Sequence, residues 1–175
     1  MTALDKNPLN QSMLSPLNFY MAVKRSPNVN WYLQKVNLPG VSLPPTDYFT
    51  PQLGIPEYGD GVHWENLVIE YKVDEDLNSW FEVFNWLIAI GAPENTNQFK
   101  QIENMPQFSG EGITSDISIS ILDSNENPNF TIFYKDAFPV SLAGLNFNTT
   151  ATDVNYITTT AIFKYSYYEI LKDKK

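Results

Sequence analysis

Val62–Val73 (VHWENLVIEYKV) and Leu77–Ile90 (LNSWFEVFNWLIAI), separated by Asp74-Glu75-Asp76, decide the fold class between them. The first run alternates. Leu67, Ile69, Tyr71 and Val73 fall on one face and Asn66, Glu70 and Lys72 on the other, which predicts a long strand buried on one side. The second run changes period: Leu77, Trp80, Phe81, Phe84, Leu87 and Ile88 recur at helical spacing. That predicts an amphipathic helix with Trp80, Phe84, Leu87 and Ile88 on its core face. The acidic triplet suits the positive end of the helix dipole, and Gly91 with Pro93 beyond suits a left-handed stop.

Strand signals continue on both sides. Leu17–Lys24 and Trp31–Leu38 read as a hairpin around the turn Ser26-Pro27-Asn28. Asp116–Leu122 and Phe130–Tyr134 flank the dense turn chemistry of Asp123–Asn129 and read as a second hairpin. Phe138–Leu145 reads as an apolar connection, and Tyr156–Ile170 as one long last strand. Pro39–Gly61 carries Pro39, Pro44, Pro45, Pro51 and Pro56 and reads as a long loop with short extended pieces such as Gly40–Leu43. Loops of that length within a compact domain are usually functional or contact a partner. The expected class is mainly β (α+β): an antiparallel β-sandwich or partly closed barrel with one flanking α-helix at about 77–90 and a long Pro-rich loop. Residues 1–16 read as a polar N-terminal arm, 17–171 as a single β domain and 172–175 as a charged tail.

Composition narrows the chemistry. The chain has 175 residues, 43% hydrophobic and 14% aromatic, enough for a core without staples. It has no cysteine, which removes disulfides, thiolate nucleophiles and cysteine-based metal sites, and one histidine, His63, which removes any site needing two. The net charge of −9 argues against a phosphate-gripping surface. No apolar run reaches a membrane span, so no membrane role is expected. Asp74-x-Asp76-x-Asn78 and Asp123-x-Asn125-x-Asn127 mimic calcium loops but fail at the sixth and twelfth positions, and Gly59-x-Gly61 lacks the rest of a phosphate loop. No catalytic residue, cofactor or metal site is expected, and the protein is read as structural.

Several motifs occur in order: an aromatic strand leading to Gln34-x-x-x-Leu38-Pro39-Gly40, then Pro56-x-x-Gly59-Asp60, then Leu67-Val68-Ile69 running into Val73-Asp74-Glu75-Asp76-Leu77-x-x-Trp80, then Trp86-Leu87, and last Phe138-Pro139-x-Ser141-Leu142 before the Thr/Tyr strand. Over roughly residues 17–170 this resembles the tail-tube family of contractile-tailed phages, including tube-like proteins at the baseplate junction. The resemblance implies a virion protein made in the host cytoplasm. It also implies hexameric rings that stack into a conduit for DNA ejection, with tail sheath, baseplate or tail terminator proteins as partners. In that setting Glu70, Asp116 and Glu169 are candidate lumen acids past which DNA slides without specific binding. Pro44, Pro45, Asp47, Tyr48, Pro51 and Pro56 are a candidate contact between rings. Two other readings use the same residues. One is a monomeric carbohydrate-binding or adhesin-like sandwich with Trp31, Tyr32, Tyr165, Tyr167 and Tyr168 stacking on sugars. The other is a hydrolase with two carboxylates in a groove.

Overall fold

A computed structural model describes residues 13–49, 52–59, 61–91, 112–149 and 156–172. Eleven strands and two helices run in the order β1 (Phe19–Val23), α1 (Pro27–Tyr32), β2 (Leu33–Val36), β3 (Val41–Ser42), β4 (Pro45–Phe49), β5 (Gly54–Tyr58), β6 (His63–Trp64), β7 (Leu67–Lys72), α2 (Asn78–Gly91), β8 (Ser115–Leu122), β9 (Pro128–Leu142), β10 (Thr158–Lys164) and β11 (Tyr167–Lys172).

The strands that carry the core pair antiparallel throughout, in the order β1-β8-β9-β10-β7-β2, with β11 also on β9. One strand belongs to two sheets. The first half of β9 lies between β8 and β11, and its end pairs with β10. The first sheet is therefore β1-β8-β9-β11 and the second β9-β10-β7-β2; the path is not closed into a barrel. Asp136, at a positive φ of 54°, marks the bend where β9 passes from one sheet to the other. Pro139 follows where the β9–β10 register shifts, so the missing N–H falls at an irregularity in the ladder.

Alternation puts Met21, Val23, Ile117, Ile119, Ile132 and Tyr134 from the first sheet, and Leu67, Ile69, Tyr71, Ala161 and Phe163 from the second, into one buried cluster. Helix α2 adds Val83, Trp86 and Ala89, with the Trp86 ring 5.9 Å from that of Phe163. Trp86 Nε1 donates to the Ile113 carbonyl at 2.8 Å, and Arg25 lies over the Trp86 ring while donating to the carbonyls of Gly112 and Thr114.

Several expectations change. Leu17–Lys24 and Trp31–Leu38 do not form a hairpin: β1 pairs with β8 and β2 with β7. The turn at Pro27 instead grows into α1, with proline in the first helical turn and Glu82 of α2 accepting from the Asn28 amide at 3.1 Å. Among the described residues a short second helix thus joins the expected one. The helix at 78–91 is turned from the expected face: Ser79, Val83, Trp86 and Ala89 are buried, and Trp80, Phe84, Leu87 and Ile88 are half-buried. Gly91 is its last residue and does not adopt positive φ. Phe138–Leu142 is strand, not connection, and the expected last strand breaks at Tyr165-Ser166 into β10 and β11. The 39–61 segment is largely strand, which reflects the site described next.

A projecting ribbon as the candidate functional site

The described residues between 40 and 65 leave the body of the protein as one long two-stranded ribbon. At its root Glu65 N donates to Gly40 O at 3.1 Å, and β3 pairs with β6, Val41 opposite Trp64 and Ser42 opposite His63. Further out β4 pairs with β5, from Pro45 opposite Tyr58 to Phe49 opposite Gly54. Prolines here are tolerated because each strand has a single neighbour, so the side lacking N–H faces solvent. Between the two ladders Gly59 passes the Pro44 carbonyl so closely that no side chain would fit.

Tyrosines hold the root. Tyr165 Oη donates to Glu65 O at 2.8 Å and Tyr168 Oη to Pro39 O at 3.3 Å, so both chains of the ribbon are tied to the β10–β11 corner. Trp64 packs edge-on against Tyr168 at 4.8 Å, and Tyr134 lies 4.9 Å from Tyr165 and 5.5 Å from Tyr168. Burial, and then Tyr168 and Glu65 nearby, push the Tyr165 hydroxyl up to about 12, so it remains a donor.

The outer part has no such support. Every residue of β4 and β5 is exposed, including Tyr48, Phe49 at 79%, Ile55 and Tyr58 at 86%. An isolated two-stranded ribbon is marginal in water, and apolar side chains gathered on one gain by burial against another surface. The candidate contact residues Pro45, Asp47, Tyr48 and Pro56 sit on this ribbon and Pro44 between its two ladders; Pro51 lies outside the described residues.

The candidate acids are not brought together. Asp116 on β8 and Glu169 on β11 share the outward face of the first sheet, with Lys135 of β9 bonded to Asp116 at 2.7 Å. Glu70 lies on the outward face of the second sheet, paired with Lys35 at 2.8 Å. Nor do the aromatics form a sugar platform. Tyr165 and Tyr168 are committed to the root of the ribbon, while Trp31 is exposed on α1 and Tyr167 on β11. The acidic turns are occupied too: Asp74 caps α2 through Asn78 and Ser79, and Asp123 Oδ1 accepts from the amides of Asn125 and Asn127. Among the described residues no cluster of acids and histidine is arranged to hold a metal.

This two-sheet body with a projecting ribbon is shared along nearly its whole length with the tube-terminating cap of the anti-feeding prophage. That match has a TM-score of 0.67 at 14% identity and covers 99% of this chain and 100% of the cap. The chain carries the tail-tube fold of contractile systems. The same fold is found in the sheath/tube terminator complex of an extracellular contractile injection system, with a TM-score of 0.57, 15% identity and coverage of 92% and 98%. In sequence, the tail tube terminator protein of Enterobacteria phage T4 is 25% identical over 165 residues, 90% of this chain and 89% of that protein. No protein-family model matches the sequence. The resemblance read from ordered motifs thus holds in both sequence and fold. What the motifs did not signal is the ribbon, because its exposed strands carry neither alternation nor burial.

Proposed function

We propose that this chain is a structural subunit of a contractile tail, of the kind that ends the tube: a hexameric terminator ring stacked on the tube, through which DNA passes on ejection. The observation that carries the reading is the anchored ribbon, whose apolar outer half is exposed among the described residues. A ribbon on one side of a subunit, docking onto a different surface of the next, is a heterologous contact, and heterologous contacts that close make rings. The first sheet offers a means of closure. Among the described residues its two end strands, β1 and β11, each have one open edge, and long strands joined edge to edge around a ring leave no open edge to aggregate. The terminator relative and the cap-like fold support a position at the end of the tube over one along it.

In this arrangement the outward face of the first sheet lines the lumen. Asp116 and Glu169 lie on it with Lys135 between them, and Ser118 and Thr131 add small hydroxyls, a surface with little to hold a phosphate backbone. Light scattering after size-exclusion chromatography, with negative-stain imaging, tests the reading. The expected species is a ring with the mass of a hexamer, formed alone or on purified tube. Monomers at high concentration, also with the tube present, would overturn it.

A further inference from the structure

The first sheet carries its charges in a fixed order. On its outward face β1, β8, β9 and β11 bring up Lys24, Asp116, Lys135 and Glu169 in turn, so the sign alternates from edge to edge. Lys24 directly follows β1 and is exposed like Ala22, with buried Val23 between them. Burial raises the Asp116 carboxyl, but the hydrogen bonds from Lys135 and the Asp136 amide, then the charges of Lys135 and Lys24, hold it low. The bond and charge of Asp116 in turn raise Lys135, and Glu169 adds to them. Each charge thus acts on the next, and the series begins positive at the β1 edge and ends negative at the β11 edge.

The two edges also match in direction and in backbone. Four antiparallel strands leave β1 and β11 running opposite ways, so β11 beside the β1 of a second copy continues the antiparallel order. Asn30 accepts from Val23 N at 2.9 Å and donates to Val23 O at 3.2 Å, so the Val23 groups point away from β8. Alternation then turns the groups of Phe19 and Met21 to the same open side. Followed through Ile117 and Tyr134, it turns those of Tyr168, Ile170 and Lys172 to the open side of β11.

Ala22, Ser118, Phe133 and Glu169 form one row across the sheet. Continued into a second copy, that row sets Glu169 beside Ala22 and Met21 beside Ile170. Lys24 then lies one step along the same face, a diagonal of roughly 7–8 Å that long side chains span. Inside the subunit Lys135 has the same relation to Glu169, being opposite Tyr167. Stagger between copies must be even to keep the core side inward, and a step of two in one direction brings Lys24 directly opposite Glu169. Asn30 ends the open backbone at Val23, so the ladder is short and side chains on it weigh heavily in the choice of register.

We propose that Glu169 of one copy pairs with Lys24 of the next across a β11–β1 seam, closing a belt of alternating charge around the ring. The inference rests on the ring reading and names the residues that select the seam. A belt in which each cation stands between two carboxylates has no surplus positive charge to hold a phosphate.

Charge reversal tests the seam. Full-length Lys24→Glu and full-length Glu169→Lys each set like charges against each other at every seam, and each alone should form rings in solution in about fivefold lower yield. Neither touches the ribbon, so rings are reduced and not abolished. Mixed in equal amounts, the two variants complement each other at every seam if they alternate, which an even-numbered ring permits. The expected result is recovery of the natural yield. With one variant isotopically heavy, native mass spectrometry should show equal numbers of heavy and light subunits in excess of random mixing. Lys24→Gln and Glu169→Gln, which cannot repel, should each lower the yield about twofold, so the test holds even where a reversal unfolds the subunit. Unchanged yields in all four variants would overturn the proposal, as would folded reversal variants that fail to recover on mixing or that mix at random. Rings of the natural protein in those cases refute the seam pairing alone, and a natural protein that stays monomeric, also with purified tube, refutes the ring reading as well.

Discussion

Lys135 Nζ lies 2.7 Å from Asp116 Oδ2 on the outward face of the first sheet. Burial pushes the Asp116 carboxyl up, but the hydrogen bond from Lys135 and the amide of Asp136 outweigh it and hold it below the usual carboxylate range. Asp116 is therefore charged at neutral pH, and so is its partner. This pairing makes the face more nearly balanced than a net charge of −9 suggests, because that charge is largely carried elsewhere, as at Asp74-Glu75-Asp76.

The first prediction follows from this face. Assembled rings of the natural sequence should not retain duplex DNA at about 0.15 M salt. Rings carrying Asp116→Lys with Glu169→Lys should bind it, with an affinity that falls steeply as salt rises. Glu70→Lys, on the other sheet, should leave the rings inert. Equal DNA binding by the two variants, measured by fluorescence anisotropy, would mean that the first sheet does not line the lumen.

The ribbon should separate assembly from folding. Tyr48→Ser with Phe49→Ser alters only exposed side chains, so the subunit should keep its stability within about 0.5 kcal/mol. Ring formation should drop sharply. Unchanged ring yield in light scattering would remove the ribbon from the interface.

Helix α2 gives a stability test of the face it buries. Trp86→Ala removes the ring against Phe163 and the bond to Ile113 O, and should cost about 3–5 kcal/mol in chemical denaturation. Phe84→Ala should cost less than half as much, since Phe84 is half-buried and stacks on Trp80 at 4.8 Å. A larger loss at Phe84 would reverse the assignment.

Asp74 should make stability depend on pH at the acid end. Burial raises its pKa, but hydrogen bonds from the Ser79 hydroxyl and the Ser79 and Asn78 amides prevail, and its folded pKa is depressed. A depressed carboxylate contributes stability that is fully present above its unfolded pKa, about 3.9, and is lost as pH falls through the folded value. Asp74→Ala should thus cost about 1 kcal/mol at pH 7 through loss of the cap, and the difference should vanish in strong acid. A constant difference down to pH 2 would show that the carboxylate charge does not act there.

Much of the body was legible in the sequence. The strand around Leu67–Lys72, the helix after the acidic triplet and the hairpin across Asp123–Asn129 each rest on local periodicity or turn chemistry. The ordered motifs also identified the tail-tube resemblance. Partners were not legible. The run around Pro27 has turn chemistry, and its start as a helix is joined by Asn28 to Glu82, 54 residues away. The face of α2 was misread because its apolar residues cover more than one side, and which side is buried depends on Phe163 and the 112–114 carbonyls.

Residue pattern alone determined that this chain makes antiparallel strands and one long helix, because side-chain alternation and helical spacing are properties of neighbours in sequence. Tertiary structure decided which strand runs unbroken. Phe130–Leu142 continues through Asp136 and Pro139 because β8, β10 and β11 pair along it, while the Thr/Tyr run breaks at Tyr165-Ser166 to change sheets. It also decided that Pro39–Gly61 stands out as a ribbon. Hydroxyls at Tyr165 and Tyr168, more than a hundred residues later, hold its root, and hydrogen bonds between such distant positions leave no local trace.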